Sequence, residues 1–202
     1  MALPPNLTKD GYEIQFGTNF LGHALLVKLL LPLLLNTAKQ PSADVRIVFL
    51  TSEGYALHPF GGILFASLRT PQSNIGLLGP WQRYGQSKLA LMLYARELAR
   101  RYGEQGILAV SVHPGTFNTG LVGGLGWGQR AFIWGTNLGR LGDEKDMACN
   151  CCWAATAERD RIENGGFYKP VGVRGKKVRD NENEVLAGKL WEYTEKELEA
   201  YN

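Results

Sequence analysis

Tyr84 and Lys88 stand four residues apart in Tyr84-Gly85-Gln86-Ser87-Lys88, at the head of an amphipathic run over residues 81–102. Residues at that spacing share a helix face, so the pattern sets an ammonium beside a phenol hydroxyl. A phenol titrates near pH ~10 in isolation, and a neighbouring cation favours phenolate, which moves the group toward a useful acid–base range. Such a pair could give a proton to, or take one from, a carbonyl or alcohol oxygen. Ser52 adds a hydroxyl just past Val45–Leu50, at the carboxyl end of an apolar, β-branched run. Open α/β sheets form ligand crevices at such ends, and a hydroxyl there could donate to a developing alkoxide. Each residue alone has a plainer reading. Tyr84 also reads as a partly exposed helical tyrosine and Ser52 as a turn or cap residue, and one Tyr–Lys spacing arises easily by chance among eight tyrosines.

The elements that must position these groups follow from periodicity. Thr8, with Asp10 in the first turn, is expected to cap a helix whose apolar positions are Ile14, Phe16, Phe20, Ala24, Leu26 and Leu30, with a kink or end at Pro32. Asn19 lies inside it, where asparagine is a poor helix former; its side chain serves either a specific hydrogen bond or packing. Val45–Leu50 reads as a strand covered on both faces. Residues 53–80, rich in glycine, proline and serine, read as a long loop, and such loops tend to be functional. In the helix over 81–102, Leu89, Met92, Leu93, Leu98 and Ala99 are expected inward and Arg96, Glu97, Arg100 and Arg101 solvated. Residues 107–113 form a second strand followed by Pro114-Gly115, a turn facing the same crevice. A helix from Asp143 to about Ala157, a short third strand over 166–170 and a terminal helix over 182–201, with Leu186, Leu190, Trp191 and Leu198 on one stripe, complete the chain. Strands alternating with helices imply a parallel α/β layer structure in a single domain.

Composition narrows the function classes. At 202 residues, 45% hydrophobic and 20% charged, the chain can bury a sizeable core, and a formal charge of +3 gives no footing for nucleic acid. The basic cluster Arg174, Lys176, Lys177 and Arg179 reads as a solvated loop or as a patch steering an anionic ligand. Cys149, Cys151 and Cys152 crowd one segment without a disulfide framework or a histidine at ligand spacing, which points to a reducing, intracellular (cytoplasmic) setting and to no metal site. The most apolar stretch, residues 20–35, is shorter than the ~20 residues of a membrane span and is interrupted by Lys28 and Pro32. It reads as a buried helix or one at a subunit interface. Membrane association of a longer form stays open.

Gly17-Thr18-Asn19-Phe20-Leu21-Gly22-His23, Thr51-Ser52, Tyr84-Gly85-Gln86-Ser87-Lys88, Leu98-Ala99-Arg100-Arg101 and Ser111-Val112-His113-Pro114-Gly115 occur in the order and approximate spacing of short-chain dehydrogenases/reductases. The chain resembles that family over nearly its whole length, and most of all its retinol-dehydrogenase-like, fungal-type branch. The resemblance implies the C-terminal part of a Rossmann-like, doubly wound parallel sheet with long flanking helices. It implies Tyr84 as general acid/base, Lys88 lowering its pKa and binding the nicotinamide ribose, Ser52 orienting the substrate oxygen, and Asn19 supporting a proton relay. Pro114, Gly115 and Thr119 would border the nicotinamide, so that Asn19, Tyr84, Lys88, Pro114, Gly115 and Thr119 would contact NADP or NAD, with NADP slightly favoured. Hydride transfer between the cofactor and a small-molecule carbonyl or alcohol is the implied reaction. Leu121, Val122, Leu125, Trp127, Phe132 and Trp134 form either a lid for a lipophilic substrate or core, and a homodimer through the long helices is plausible.

Against the family pattern, the glycine-rich turn, its βαβ units and the Asn-Ala-Gly strand end are not found before Asn19. Residues 119–126 match the glycine pattern letter for letter, yet no strand runs directly into them and no ribose-binding acid ends a second strand ~20 residues later, so they read as lid. Two expectations follow. The chain is the catalytic half of an NAD(P)-dependent oxidoreductase, or it is an inert fragment or partner-binding pseudoenzyme.

Overall fold

Three short apolar runs form the parallel strands of one sheet in a computed structural model that describes residues 1–76, 78–117, 128, 135, 142, 146–177 and 180–201. Strand β1 (Val45–Leu50) pairs in parallel with β2 (Ile107–Val112), from Val45 opposite Ile107 to Leu50 opposite Val112. Strand β3 (Phe167–Lys169) pairs in parallel with the end of β2, and β4 (Val173–Arg174) turns back antiparallel on β3. The sheet order is β1-β2-β3-β4. The antiparallel β4 is absent from the sequence expectation because two residues carry no readable period.

Among the described residues, four continuous helices flank the sheet. Helix α1 spans Ile14–Ala38 and includes a π-type turn over Gly17–Leu21; α2 is Gly79–Tyr102, α3 is Cys149–Thr156 and α4 is Glu184–Glu197. Alternation along β2 explains why both its faces are apolar. Ile107 and Ala109 join the large core with Phe16, Phe20, Leu89, Leu93 and Leu190, whereas Leu108, Val110 and Val112 face Ala154, Ile162 and Tyr168 on the α3 side. Strand β1 differs from its expectation. Val45, Ile47 and Phe49 are buried, but Arg46 and Val48 are only partly covered and Leu50 is exposed, because β1 is an edge strand.

Other boundaries also move. Helix α1 starts at Ile14, not after Thr8, because the Glu13 carboxylate accepts the Phe16 N–H at 2.6 Å while Thr8 closes a turn with Tyr12. It runs through Pro32 to Ala38, and Leu26 and Leu30 lie exposed with Leu29 and Leu33 rather than in the core. At 25 residues, α1 is long and apolar enough to cross a membrane by length and composition alone, a test that core helices also pass; its Phe16, Phe20 and Ala24 are fully buried. Residues 53–80 contain 3₁₀ turns at Glu53–Leu57 and Phe65–Ser67. Glu97 is buried, held by Arg100 at 2.9 Å and Arg101 at 2.7 Å, where solvation was expected. Thr119, the run 119–126, Leu121, Val122, Leu125, Trp127, Phe132, Trp134, Asp143 and Arg179 lie outside the described residues.

Candidate active site

The parallel strands end together, and the residues that leave them line one crevice. Thr51 and Ser52 follow β1, and His113, Pro114 and Gly115 follow β2. With Tyr84 and Lys88 of α2 they line a cavity of about 360 Å³, closed further by Phe117, Met147 and Cys151. That volume lies in the usual range for small-molecule sites, roughly 300–1,000 Å³. A second cavity of about 500 Å³ shares His113, Gly115, Thr116 and Phe117 and adds Glu53, Asp146, Cys149 and Pro170. Of the expected site residues, Ser52, Tyr84, Lys88, Pro114 and Gly115 therefore converge.

The middle of the pentapeptide explains how. A Cβ on Gly85 would lie 2.6 Å from the His58 backbone nitrogen and 2.8 Å from the Gly54 oxygen, so only glycine lets the Glu53–Leu57 turn sit directly on α2. That contact carries Ser52 to Tyr84. Gln86 accepts the Leu64 N–H at 2.8 Å and donates to Gln72 at 3.1 Å, pinning the rest of the 53–78 connection. Ser87 donates to the Tyr84 carbonyl at 2.7 Å and accepts from Asn19 Nδ2 at 2.9 Å. Asn19 thus sits one step behind the cavity, in the π-type turn of α1, and it touches the serine of the motif rather than Tyr84 or Lys88. Such π-turns recur at functional sites.

Lys88 is clipped to the end of β1 from two sides. Its Nζ donates to the Leu50 carbonyl at 2.9 Å, and its own carbonyl accepts the Thr51 hydroxyl at 2.8 Å. The ammonium lies 5.7 Å from the centre of the Tyr84 ring. Burial brings Lys88 down to about 8. The Tyr84 phenol is raised, chiefly by burial and against a hydrogen bond with Ser52 that pulls it down. The expected lowering of Tyr84 by Lys88 is thus reversed, because desolvation of the phenolate outweighs its one hydrogen bond. As placed, the Tyr84 hydroxyl is kept protonated and can donate, and Lys88 retains donors for a ligand, since an ammonium has three.

Of two residues that sequence reasoning left without a role, His113 lines the crevice and Asn150 supports it from α3. His113 is buried at 6% exposure, with Nε2 3.8 Å from a Glu53 carboxylate oxygen, and burial pulls it below the ordinary histidine range. Asn150, fully buried in α3, donates to the His113 carbonyl at 2.6 Å and the Tyr168 carbonyl at 3.1 Å and accepts the Gly172 N–H at 3.0 Å. It fastens the β2 and β3 ends to α3. The signal that singled out Asn19, an asparagine within a helix, marks Asn150 equally. Among the described residues, no three histidine, cysteine or acidic side chains could hold a metal ion.

Parallel strands opening at their carboxyl ends onto a tyrosine–lysine crevice define a Rossmann-like α/β protein. The chain is 34% identical over 98% of its length to the short-chain dehydrogenase/reductase drtF of Aspergillus calidoustus, and 30% identical over 99% to the short-chain dehydrogenase TIC 32 A, chloroplastic, of Brassica napus. It belongs to the short-chain dehydrogenase/reductase family. An uncharacterized oxidoreductase of Schizosaccharomyces pombe is 48% identical over 60% of the chain. Among solved structures, an uncharacterized protein of Mycobacterium paratuberculosis superposes with a TM-score of 0.68 at 28% identity, over 97% of this chain and 62% of that one. The carbonyl reductase Sniffer of Drosophila melanogaster, at 22% identity and a TM-score of 0.53 over 83% of this chain and 58% of that one, shares the fold. No family model matches the sequence. The chain spans 65%, 61% and 35% of the lengths of the Aspergillus, Brassica and Schizosaccharomyces relatives, respectively.

Proposed function

We propose that this chain is the catalytic portion of an NAD(P)-dependent oxidoreductase of the retinol-dehydrogenase-like branch, interconverting a carbonyl and a primary or secondary alcohol on a lipophilic small molecule in an intracellular, reducing compartment. The observation that carries the proposal is the convergence of Ser52, Tyr84 and Lys88 with Pro114-Gly115 on one cavity. A bound nicotinamide supplies or accepts the hydride. The chain's own groups manage the proton: the Tyr84 hydroxyl donates it to the substrate oxygen, and the Ser52 hydroxyl holds that oxygen in place. Lys88 Nζ, in reach of the crevice from its bond to Leu50, would hold the nicotinamide ribose, with NADP slightly favoured over NAD. Asn19 steadies Ser87 and with it the turn that carries Tyr84 and Lys88. The described elements offer no glycine-rich strand-to-helix turn for a pyrophosphate, so we assign them the nicotinamide end alone.

A second reading, a partner-binding pseudoenzyme or a homodimer through α1, draws support from the open edge of β1 and from exposed Leu26, Leu29, Leu30 and Leu33. Titration of the purified chain with NADPH and with NADH, followed by cofactor fluorescence, separates the two. The oxidoreductase reading expects saturable binding that Lys88→Met weakens about tenfold or more, the loss of a charge-assisted hydrogen bond. Absence of binding to either cofactor would favour the partner-binding reading.

A further inference from the structure

The thiols of α3 are the chemically reactive groups that the oxidoreductase reading leaves unused. Cys149, Cys151 and Cys152 surround Asn150, the side chain that fastens α3 to the ends of β2 and β3. They do not point the same way. Cys149 lines the cavity of about 500 Å³, Cys151 lines the one of about 360 Å³, and Cys152 is exposed. Helix geometry decides which pair can join. Residues three apart share a face, with Cα atoms about 5 Å apart from the helical rise and radius. That separation falls inside the roughly 4.4–6.8 Å between Cα atoms that a disulfide spans, while the Cβ atoms, about 5–6 Å apart on a regular helix, must draw in to about 3.5–4.5 Å by a tightening of the first turn of α3. Cys149 and Cys151 sit on opposed faces, and adjacent Cys151 and Cys152 would need a strained ring. Burial, then the neighbouring Cys152, pushes the Cys151 thiol up, which leaves less of it as attacking thiolate.

We propose that Cys149 and Cys152 form a redox-active dithiol, a modification site at the crevice wall that closes reversibly by exchange with small-molecule disulfides. A Cys-x-x-Cys pair in a chain with few cysteines and an α/β layer structure has the spacing for that chemistry. The exposed Cys152 thiolate attacks one sulfur of the small disulfide, forming a protein–small-molecule disulfide and releasing one thiolate. The Cys149 thiolate then attacks the Cys152 sulfur, forming the Cys149–Cys152 bond and releasing the second thiolate. Two protein thiols are oxidised and one external disulfide is reduced to two thiols, so electrons and protons balance. Because Asn150 lies between the joined residues, closure tightens the turn that holds the His113 and Tyr168 carbonyls. The site needs no nicotinamide, so its failure and that of the oxidoreductase reading are separable.

The test exposes the reduced chain to oxidised glutathione at neutral pH and reads intact and peptide masses. Wild type should lose two hydrogens, with Cys149 joined to Cys152, Cys151 still open to iodoacetamide, and full reversal by dithiothreitol. Cys149→Ser should instead accumulate one glutathione on Cys152. In Cys152→Ser, glutathione uptake should slow several-fold, a reading that does not depend on the Cys149 variant folding well. Wild type that stops at the glutathione adduct, joins Cys151, or keeps all three thiols free would overturn the proposal.

Discussion

Two of the cations on helix α2, Arg83 and Lys88, have surroundings that could hardly differ more. Arg83 is fully buried. It donates to the Gln72 carbonyl at 3.1 Å and the Leu3 carbonyl at 2.9 Å and lies 3.5 Å from the buried Glu13 carboxylate that caps α1. Lys88 also leaves water, but its ammonium is bonded to one carbonyl, that of Leu50, and it lines a cavity. The first cation is consumed by the fold, tying the N-terminal segment and the 53–78 connection to α2. The second is held at a strand end with capacity to spare. A buried charge whose partners are all protein can fix one arrangement, whereas one left partly unpaired at a crevice can bind a ligand at some cost to stability.

Substitutions at the two sites should separate these roles. Arg83→Leu leaves Glu13 buried without its counter-ion and is expected to cost about 3–5 kcal/mol in urea unfolding. A loss near zero would erase the distinction. Gly85→Ala tests the packing between the two cations, because its Cβ would press on backbone atoms of the 53–58 segment 2.6–2.8 Å away. It should cost about 1–3 kcal/mol and displace Ser52 from Tyr84. The smallest effect, with opposite sign, is expected at Lys88. Its folded pKa of about 8 lies below the ordinary lysine value near ~10, so between those limits the unfolded chain binds more protons than the native one. Its contribution to stability should therefore rise as pH increases from about 8 toward ~10, and Lys88→Met should flatten that rise. At pH 7 the same variant should be unchanged or more stable by about 1 kcal/mol. Loss of several kcal/mol would place Lys88 with Arg83 as a structural cation.

The sequence reading located most of what positions the crevice, for physical reasons that can be named. Strand β2 and helices α2 and α4 have long, regular apolar patterns, and the Tyr84–Lys88 spacing reads directly as a helix face. Where it failed, specific side-chain partners, some on the same helix and some across the fold, overrode the apolar pattern. Glu97 is buried because Arg100 and Arg101 neutralise it, and α1 begins at Ile14 because the Glu13 carboxylate does the capping. The expected depression of Tyr84 assumed an ammonium aimed at the phenol, but Lys88 turns to the Leu50 carbonyl, a partner brought near only by the sheet. Asn150 shows the converse: its position within a helix was visible, while the three backbone groups it joins come from strands and turns far along the chain.

In the proposed reaction Tyr84 is the group that moves the proton. The most direct test of that role measures NADPH binding and turnover of a panel of lipophilic aldehydes and ketones for wild type and Tyr84→Phe. The variant should lose about 10²- to 10⁴-fold in turnover while its NADPH affinity stays nearly constant, because only the acid–base hydroxyl is removed. Turnover retained by Tyr84→Phe would contradict the account.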